Sequence, residues 1–278
     1  MYKIIYNKKI SSSSYEIAVK AETVIENFLP GQFVIIMAYE DSERIPLTIY
    51  DYDCDKGLLT LIYQVIGAST EELSYVKKEL FSVAGPLGNP NEICQNVEEY
   101  KNKKVVYVAG GVGIAPVYPQ VKYLFEHGIK VDIIYGARNA KLLLIRNKIE
   151  KVANKVYYAT DDGSFGEKGF VTNILEKNIN KYDICVAIGP MIMMKNVCNV
   201  TKEHNLKTIV SMNPLMVDGS GMCGACRCEV DGKPKFACIH GPEFDGHKIN
   251  FDLAMKRMNT YREEEKMKWE EMKKHLEV

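Results

Sequence analysis

From residue 104 onward, short apolar runs alternate with amphipathic stretches, and few folds accept that pattern. The runs are Val105–Ala109, Val131–Tyr135, Val156–Ala159, Ile184–Ile188 and Thr208–Ser211. Near-continuous apolar segments of this length suit parallel strands covered on both faces. Between them, Pro116–Glu126, Phe170–Glu176 and Met191–His204 read as helices. Strands alternating with helices imply a doubly wound parallel sheet, which takes its ligands at the carboxyl ends of the strands.

The first part of the chain has a different texture. Tyr2–Ile10, Tyr15–Ala21, Gly31–Ala38, Ile45–Asp51, Leu58–Ile66 and Glu79–Val83 are β-branched or aromatic and bounded by turn residues, which suggests a small antiparallel barrel. One helix is expected from Ser69, as N-cap, with Glu71 and Glu72 in its first turn. Cys94–Lys104 is polar and reads as a linker. The expected fold class is therefore β-barrel plus α/β. It comprises a barrel over 1–97, an α/β domain over 98–212, a Gly- and Cys-rich segment over 213–252, and a C-terminal helix over 253–278. Glu264/Lys268 and Glu270/Lys274 are favourable i,i+4 pairs on that helix. Met258, Tyr261, Trp269, Met272 and Leu276 form a candidate apolar stripe, for docking on the chain itself or on a partner.

Thirty-six basic and 36 acidic residues cancel, which leaves no electrostatic case for nucleic acid or an anionic membrane. The longest apolar run, Phe33–Tyr39, has strand length and falls far short of the ~20 residues of a membrane helix. The N-terminus lacks the features of a secretory signal. The expected compartment is the cytoplasm, where disulfides are rare, so the eight cysteines need another explanation.

Cys223, Cys226, Cys228 and Cys238 are clustered, and Asp218 precedes them in the spacing D-x4-C-x2-C-x11-C. Plant-type [2Fe–2S] proteins use C-x4-C-x2-C and a distant fourth cysteine. Here aspartate holds the first place. Carboxylate oxygen binds iron, though it is harder than thiolate. Gly219, Gly221 and Gly224 allow a backbone to approach bridging sulfides. The expected ligands are Asp218, Cys223, Cys226 and Cys238, with Cys228 packed beside them. A structural zinc site of Cys223, Cys226, Cys228 and Cys238, or a set of free thiols, remains open on spacing alone.

Gly110, Gly111, Val112, Gly113 and Pro116 join an apolar run to a helix. Glycines there clear space for a pyrophosphate, and the helix N-terminus supplies N–H groups. Gly136 and Arg138, then Asp161, Asp162 and Gly163, then Gly189, Pro190 and Met191 follow successive parallel strands. On one sheet edge they suggest a nucleotide cleft. In the barrel half, Arg44, Pro46, Leu47, Thr48 and Ile49 stand out, as do Val65, Gly67, Ala68, Ser69 and Thr70 at a helix start. The second group is another candidate pyrophosphate site.

Together, Arg44-Ile-Pro-Leu-Thr48, Gly110-Gly-Val-Gly-Ile-Ala-Pro116, Thr160-Asp-Asp-Gly-Ser164, Gly189-Pro-Met-Ile-Met-Met194 and Met216-Val-Asp-Gly-Ser-Gly-Met-Cys-Gly-Ala-Cys226 resemble the ferredoxin–NADP reductase superfamily. The resemblance is to its branch of dihydroorotate dehydrogenase electron-transfer subunits and sulfide dehydrogenase β subunits. Within that branch Asp218, in place of cysteine, resembles the small subunits of bifurcating NADH-dependent reduced ferredoxin:NADP oxidoreductases. The resemblance implies FAD on the barrel, NAD(H) on the α/β domain and a [2Fe–2S] cluster near the flavin. It implies that Pro46, Leu47, Thr48 and Ile49 line the flavin and that Gly67, Ser69 and Thr70 hold its pyrophosphate. It further implies a larger FAD- and [4Fe–4S]-carrying, glutamate-synthase-like partner subunit that deals with ferredoxin. Superfamily members carry a flavin-binding Arg three residues before the Ser/Thr. Here Arg44 is four before Thr48, and Ile45 takes the usual place.

Overall fold

In the computed structural model, which describes residues 1–276, the N-terminal half is a seven-stranded antiparallel sheet. Its strands are β1 (Tyr2–Lys9), β2 (Ser14–Lys20), β3 (Phe33–Met37), β4 (Ile45–Asp53), β5 (Leu58–Gln64), β6 (Glu79–Leu80) and β7 (Ser82–Leu87), in the order β6-β1-β2-β5-β4-β3-β7. Only Phe81 separates β6 from β7, yet these two pair with opposite edges of the sheet. The stretch expected as one strand from Glu79 is thus a continuous segment that closes the barrel, and closure removes most of the unpaired edge. Ile17, Val19, Val34, Ile36, Ile49, Leu59, Leu61 and Tyr63 fill its interior, as branched and aromatic side chains do on a pleated, half-buried surface.

The second half begins with β8 (Val105–Gly110), β9 (Asp132–Ala137), β10 (Lys155–Thr160), β11 (Glu167–Lys168), β12 (Ile184–Ile188) and β13 (Lys207–Ser211). A hairpin follows, of β14 (Arg227–Val230) and β15 (Lys233–Phe236), and then β16 (Glu243–Asp245). The sheet order is β11-β10-β9-β8-β12-β13-β16, parallel except for the antiparallel edge pair β13/β16. The order reverses between β8 and β12, the switch point at which such sheets open a ligand crevice. Helices Ile114–Glu126, Arg146–Val152, Val171–Asn178 and Met191–Glu203 cover the two faces.

Several expectations are corrected. Cys94–Lys104 is not a solvated linker: one-turn helices Glu92–Gln95 and Val97–Tyr100 bury Ile93, Cys94 and Tyr100 against the α/β core. The barrel helix spans Ala68–Tyr75 with Gly67, not Ser69, as N-cap. Thr70 explains the earlier start, because its hydroxyl accepts the N–H groups of Ile66 and Gly67 at 3.0 and 3.3 Å. The tail is two helices, Phe251–Met258 and Arg262–Leu276. The break falls at Asn259-Thr260-Tyr261, where Asn and Thr are weak helix formers and the Thr260 hydroxyl donates to Arg257 O at 2.8 Å. Of the expected stripe, Trp269 and Met272 are half-buried and Met258 and Tyr261 exposed. The side chain of Leu276, and residues 277 and 278 of the expected helix, lie outside the described residues.

Candidate functional site

The Gly110–Gly113 turn meets the Gly189-Pro190 turn at the switch point, and only glycine permits the contact. A Cβ on Gly113 would lie 2.4 Å from Ile188 O, and one on Gly189 would lie 3.0 Å from Gly110 N. Gly111 differs. Its φ is +56°, in the left-handed region, and nothing of the protein lies within 4 Å of where its Cβ would stand. That open face of backbone beside a helix start has the form that a phosphate-bearing group requires.

A cleft of ≈ 890 Å³ opens there, between the barrel and the α/β sheet. Of the residues expected to hold a nucleotide or flavin, Pro46, Leu47, Thr48, Gly110, Gly111, Val112, Gly113, Pro116, Gly136, Arg138, Asp161, Gly189 and Pro190 line it. Others are not brought to it. The Ile49 side chain is fully buried in the barrel core, because β4 turns it inward beside a register shift at Ile49/Asp51. Met191 is buried in the α/β core. Asp162 accepts from Ser164 N and Oγ at 2.9 and 2.6 Å, bonds that hold its carboxyl below the ordinary range. Together with Gly163 at φ +76° it makes a turn instead of a cleft wall. Val65, Gly67, Ala68, Ser69 and Thr70 sit beside the cleft, at the end of β5 and the start of the helix Ala68–Tyr75, and Arg44 is exposed on the neighbouring loop.

Sequence reading missed much of the lining. Phe33 and Gln64 come from the barrel, Phe170 and Ile192 from helix starts, Asn196 from the second turn of the helix Met191–Glu203, and Ser211–Pro214 from the end of β13. The last group was findable, since it follows a parallel strand like the loops that were singled out. Met216 and Pro242, from the Cys-rich segment, complete one wall.

That segment packs on the barrel. Met216, Cys226, Ala237 and Cys238 cluster with Phe33 and Ile35 of β3. Of the four expected iron ligands, two bring their ligand atoms together. Cys226 Sγ and Cys238 Sγ are 3.1 Å apart. Asp218 Oδ2 accepts from Cys223 N at 2.9 Å, while its Oδ1 accepts from Ser220 N at 2.8 Å. Those backbone donors hold the Asp218 carboxyl below the usual range, so it is ionised at neutral pH. Burial and the adjacent Cys226 thiol push Cys238 up to about 12, so cation binding there must displace a proton. Gly219, Gly221 and Gly224 all have positive φ. One carboxylate and three thiols are the donor chemistry a diiron core takes, two ligands to each iron, but among the described residues no three such side chains are gathered as a metal-binding group. Cys228 is turned elsewhere: it is buried in the α/β core, and its thiol faces Lys235 O at 3.6 Å. The Cys228 thiol thus takes no part in the Cys226–Cys238 pair.

Residues 213–250 match the iron-sulfur cluster binding domain of dihydroorotate dehydrogenase B. Residues 107–199 match the oxidoreductase NAD-binding domain. The chain is 43% identical over 273 residues to a dihydroorotate dehydrogenase B (NAD(+)) electron transfer subunit homolog from Thermotoga maritima, covering 96% of this chain and 94% of that one. It is 32% identical over 248 residues to the electron transfer subunit of that enzyme from Clostridium acetobutylicum, covering 89% and 95%. A solved structure of NADH-dependent reduced ferredoxin-NADP oxidoreductase, described in terms of flavin-based electron bifurcation, superposes with TM-score 0.90 at 40% identity, over 98% of this chain and 97% of that one.

Proposed function

The chain belongs to the family of dihydroorotate dehydrogenase B electron-transfer subunits and their homologues, and from that premise we propose that it is the NAD-side electron-transfer flavoprotein subunit of a bifurcating ferredoxin:NADP oxidoreductase. When bound, FAD and NAD(H) supply hydride exchange and the [2Fe–2S] cluster supplies one-electron carriage. The protein's part is placement. Gly111 and the helix Ile114–Glu126 offer backbone N–H groups to the nucleotide phosphates. Pro46, Leu47 and Thr48 present β4 to the flavin ring, and Gly67, Ser69 and Thr70 flank its pyrophosphate. Asp218, Cys223, Cys226 and Cys238 hold the cluster. Arg138 and Asp161 are the charged side chains among the cleft residues, and neither is needed as acid or base.

One observation carries this reading: barrel strand, glycine turns and Cys-rich segment all face a single cleft. Its test is a count on anaerobically purified protein, with one flavin, two irons, two acid-labile sulfides and no zinc expected per chain. A colourless, zinc-loaded protein would refute it. Titration of the bound flavin with both nicotinamides tests the cofactor choice, which fails if NADPH binds as tightly as NADH.

Like its relatives, the chain is a subunit that works with a larger partner. We assign that partner as a glutamate-synthase-like subunit carrying FAD and [4Fe–4S] clusters and exchanging electrons with ferredoxin. The superposition with the bifurcating enzyme supports this, as does aspartate at position 218. The alternative is an electron-transfer subunit for dihydroorotate dehydrogenase or a sulfide dehydrogenase. NADH oxidation measured with each candidate partner separates them. The described residues contain no helix long and apolar enough to cross a membrane.

A further inference from the structure

The C-terminal helix Arg262–Leu276 lies outside both matched domains, yet it returns to the barrel. Trp269 Nε1 donates to Glu71 Oε2 at 3.3 Å, and Lys268 Nζ pairs with Glu43 Oε1 at 2.5 Å. Glu43 is not an incidental anchor. It is next to Arg44, and its other carboxylate oxygen accepts from the Ser69 hydroxyl at the start of the helix Ala68–Tyr75. Ser42 stitches the same loop to the same helix by donating to Glu72 Oε2 at 2.7 Å. A bare carboxylate at Glu43 would face the site read above as the flavin pyrophosphate cradle, and like charges there oppose binding.

We propose that Lys268 is a positioning residue of the flavin site, neutralising Glu43 so that its carboxylate, bound to the Ser69 hydroxyl, does not repel a pyrophosphate received by the backbone N–H groups of the Ser69–Thr70 turn. The inference rests on the reading that FAD occupies the barrel. Lys268 touches no cofactor and acts through Glu43. Both partners are about half exposed, with 60% and 54% of their side-chain surface open, so their substitution leaves the fold intact and the effect is screened by salt.

The test is flavin release from diluted holoprotein, followed as recovery of flavin fluorescence, for wild type, Lys268→Ala, Glu43→Gln and the double variant. At low ionic strength Lys268→Ala should release flavin on the order of threefold faster, as expected for one uncompensated charge near the surface. Glu43→Gln should abolish that acceleration, and 0.5 M salt should shrink it. Release unaffected by Lys268→Ala overturns the proposal. So does an acceleration that persists in the Glu43→Gln background, which would mean that the helix merely packs there. Holoprotein that carries no flavin at all overturns the flavin reading itself, a distinct result.

Discussion

Replacing Glu243 by glutamine should flatten the pH dependence of stability. Glu243 lies on β16, where the Cys-rich segment joins the α/β sheet. Its oxygens accept from Asn91 Nδ2 at 2.7 Å and Gln120 Nε2 at 2.8 Å, both neutral donors. The nearby Glu92 carries like charge, though Lys207 pairs with it at 2.8 Å. Desolvation pushes the Glu243 carboxyl from 4.5 up to about 7. The folded protein therefore keeps a proton that the unfolded chain releases. The resulting stabilisation is complete below about pH 4.5 and is lost as pH rises through 7. At 1.36 kcal/mol per pH unit the loss is about 3 kcal/mol. That figure is a ceiling, because Glu243 is only half-buried by surface area and borders a second cavity of ≈ 390 Å³, where water lowers the desolvation cost. Glutamine mimics the protonated acid. It keeps one acceptor for Asn91 and offers an amide donor to Gln120, whose Oε1 is buried without a partner and becomes available if that amide flips. Thermal midpoints of wild type and Glu243→Gln, both cofactor-loaded, should diverge between pH 5 and 8 by up to roughly 6 °C, with the variant ahead at high pH. Taking the difference cancels groups common to both proteins. Parallel midpoints across that range would refute the buried-acid reasoning.

Asp218→Ala should lose iron and the visible spectrum of the cluster while flavin stays bound; unchanged iron removes Asp218 from the ligand set. Cys228→Ser should keep full iron content, as its thiol faces Lys235 O, and iron loss would reopen a cysteine-rich alternative. Gly111→Ala should weaken NADH binding about tenfold with flavin content unchanged. It sets a methyl in the open cradle, where the phosphates would lie; the φ of +56° costs a residue with a Cβ about 1 kcal/mol of stability in addition. NADH titration of the flavin absorbance checks it.

The parallel strands were legible because burial on both faces writes a continuous apolar run, as at Ile184–Ile188, which the structure matches residue for residue. The helix Arg146–Val152 was not. It buries only Ile149 and Val152, one i,i+3 step, too short for a helical period to declare itself. Edge strand β16 was hidden likewise, since three residues cannot show alternation. At the site, turns carrying glycine were visible because their backbone conformation demands it. Phe170 and Ile192 gave no such signal: exposed apolar side chains near helix starts look like ordinary surface until topology places them on the cleft. The direction of the Ile49 side chain, into the barrel core, was hidden for a related reason. A motif names a stretch of strand, but the pleat decides which side chains face which way.

The barrel has a core of its own, yet the three parts of the chain also share buried contacts, and this bears on how electrons pass between them. Barrel residues Tyr50 and Ile62 belong to the main α/β cluster, beside Tyr118 and Ile114. Asp51, next in β4, pairs with both Lys122 and Lys148, at 2.9 and 3.2 Å, from two different helices of the α/β half. The Cys-rich segment shares Phe33 and Ile35 with the barrel. A Cβ on Gly219 would lie 2.7 Å from Ile35 Cδ1, so the ligand loop is seated directly on β3. β3 pairs in turn with Leu47 and Thr48 of β4, the strand that faces the cleft. Close-packed interiors transmit position with little slack. The Asp218–Cys226 loop is therefore held by its packing on β3, and Phe33 and Met216 join it to the cleft wall with no flexible linker between. A chain built to carry electrons over a set distance needs that rigidity more than it needs any acid or base.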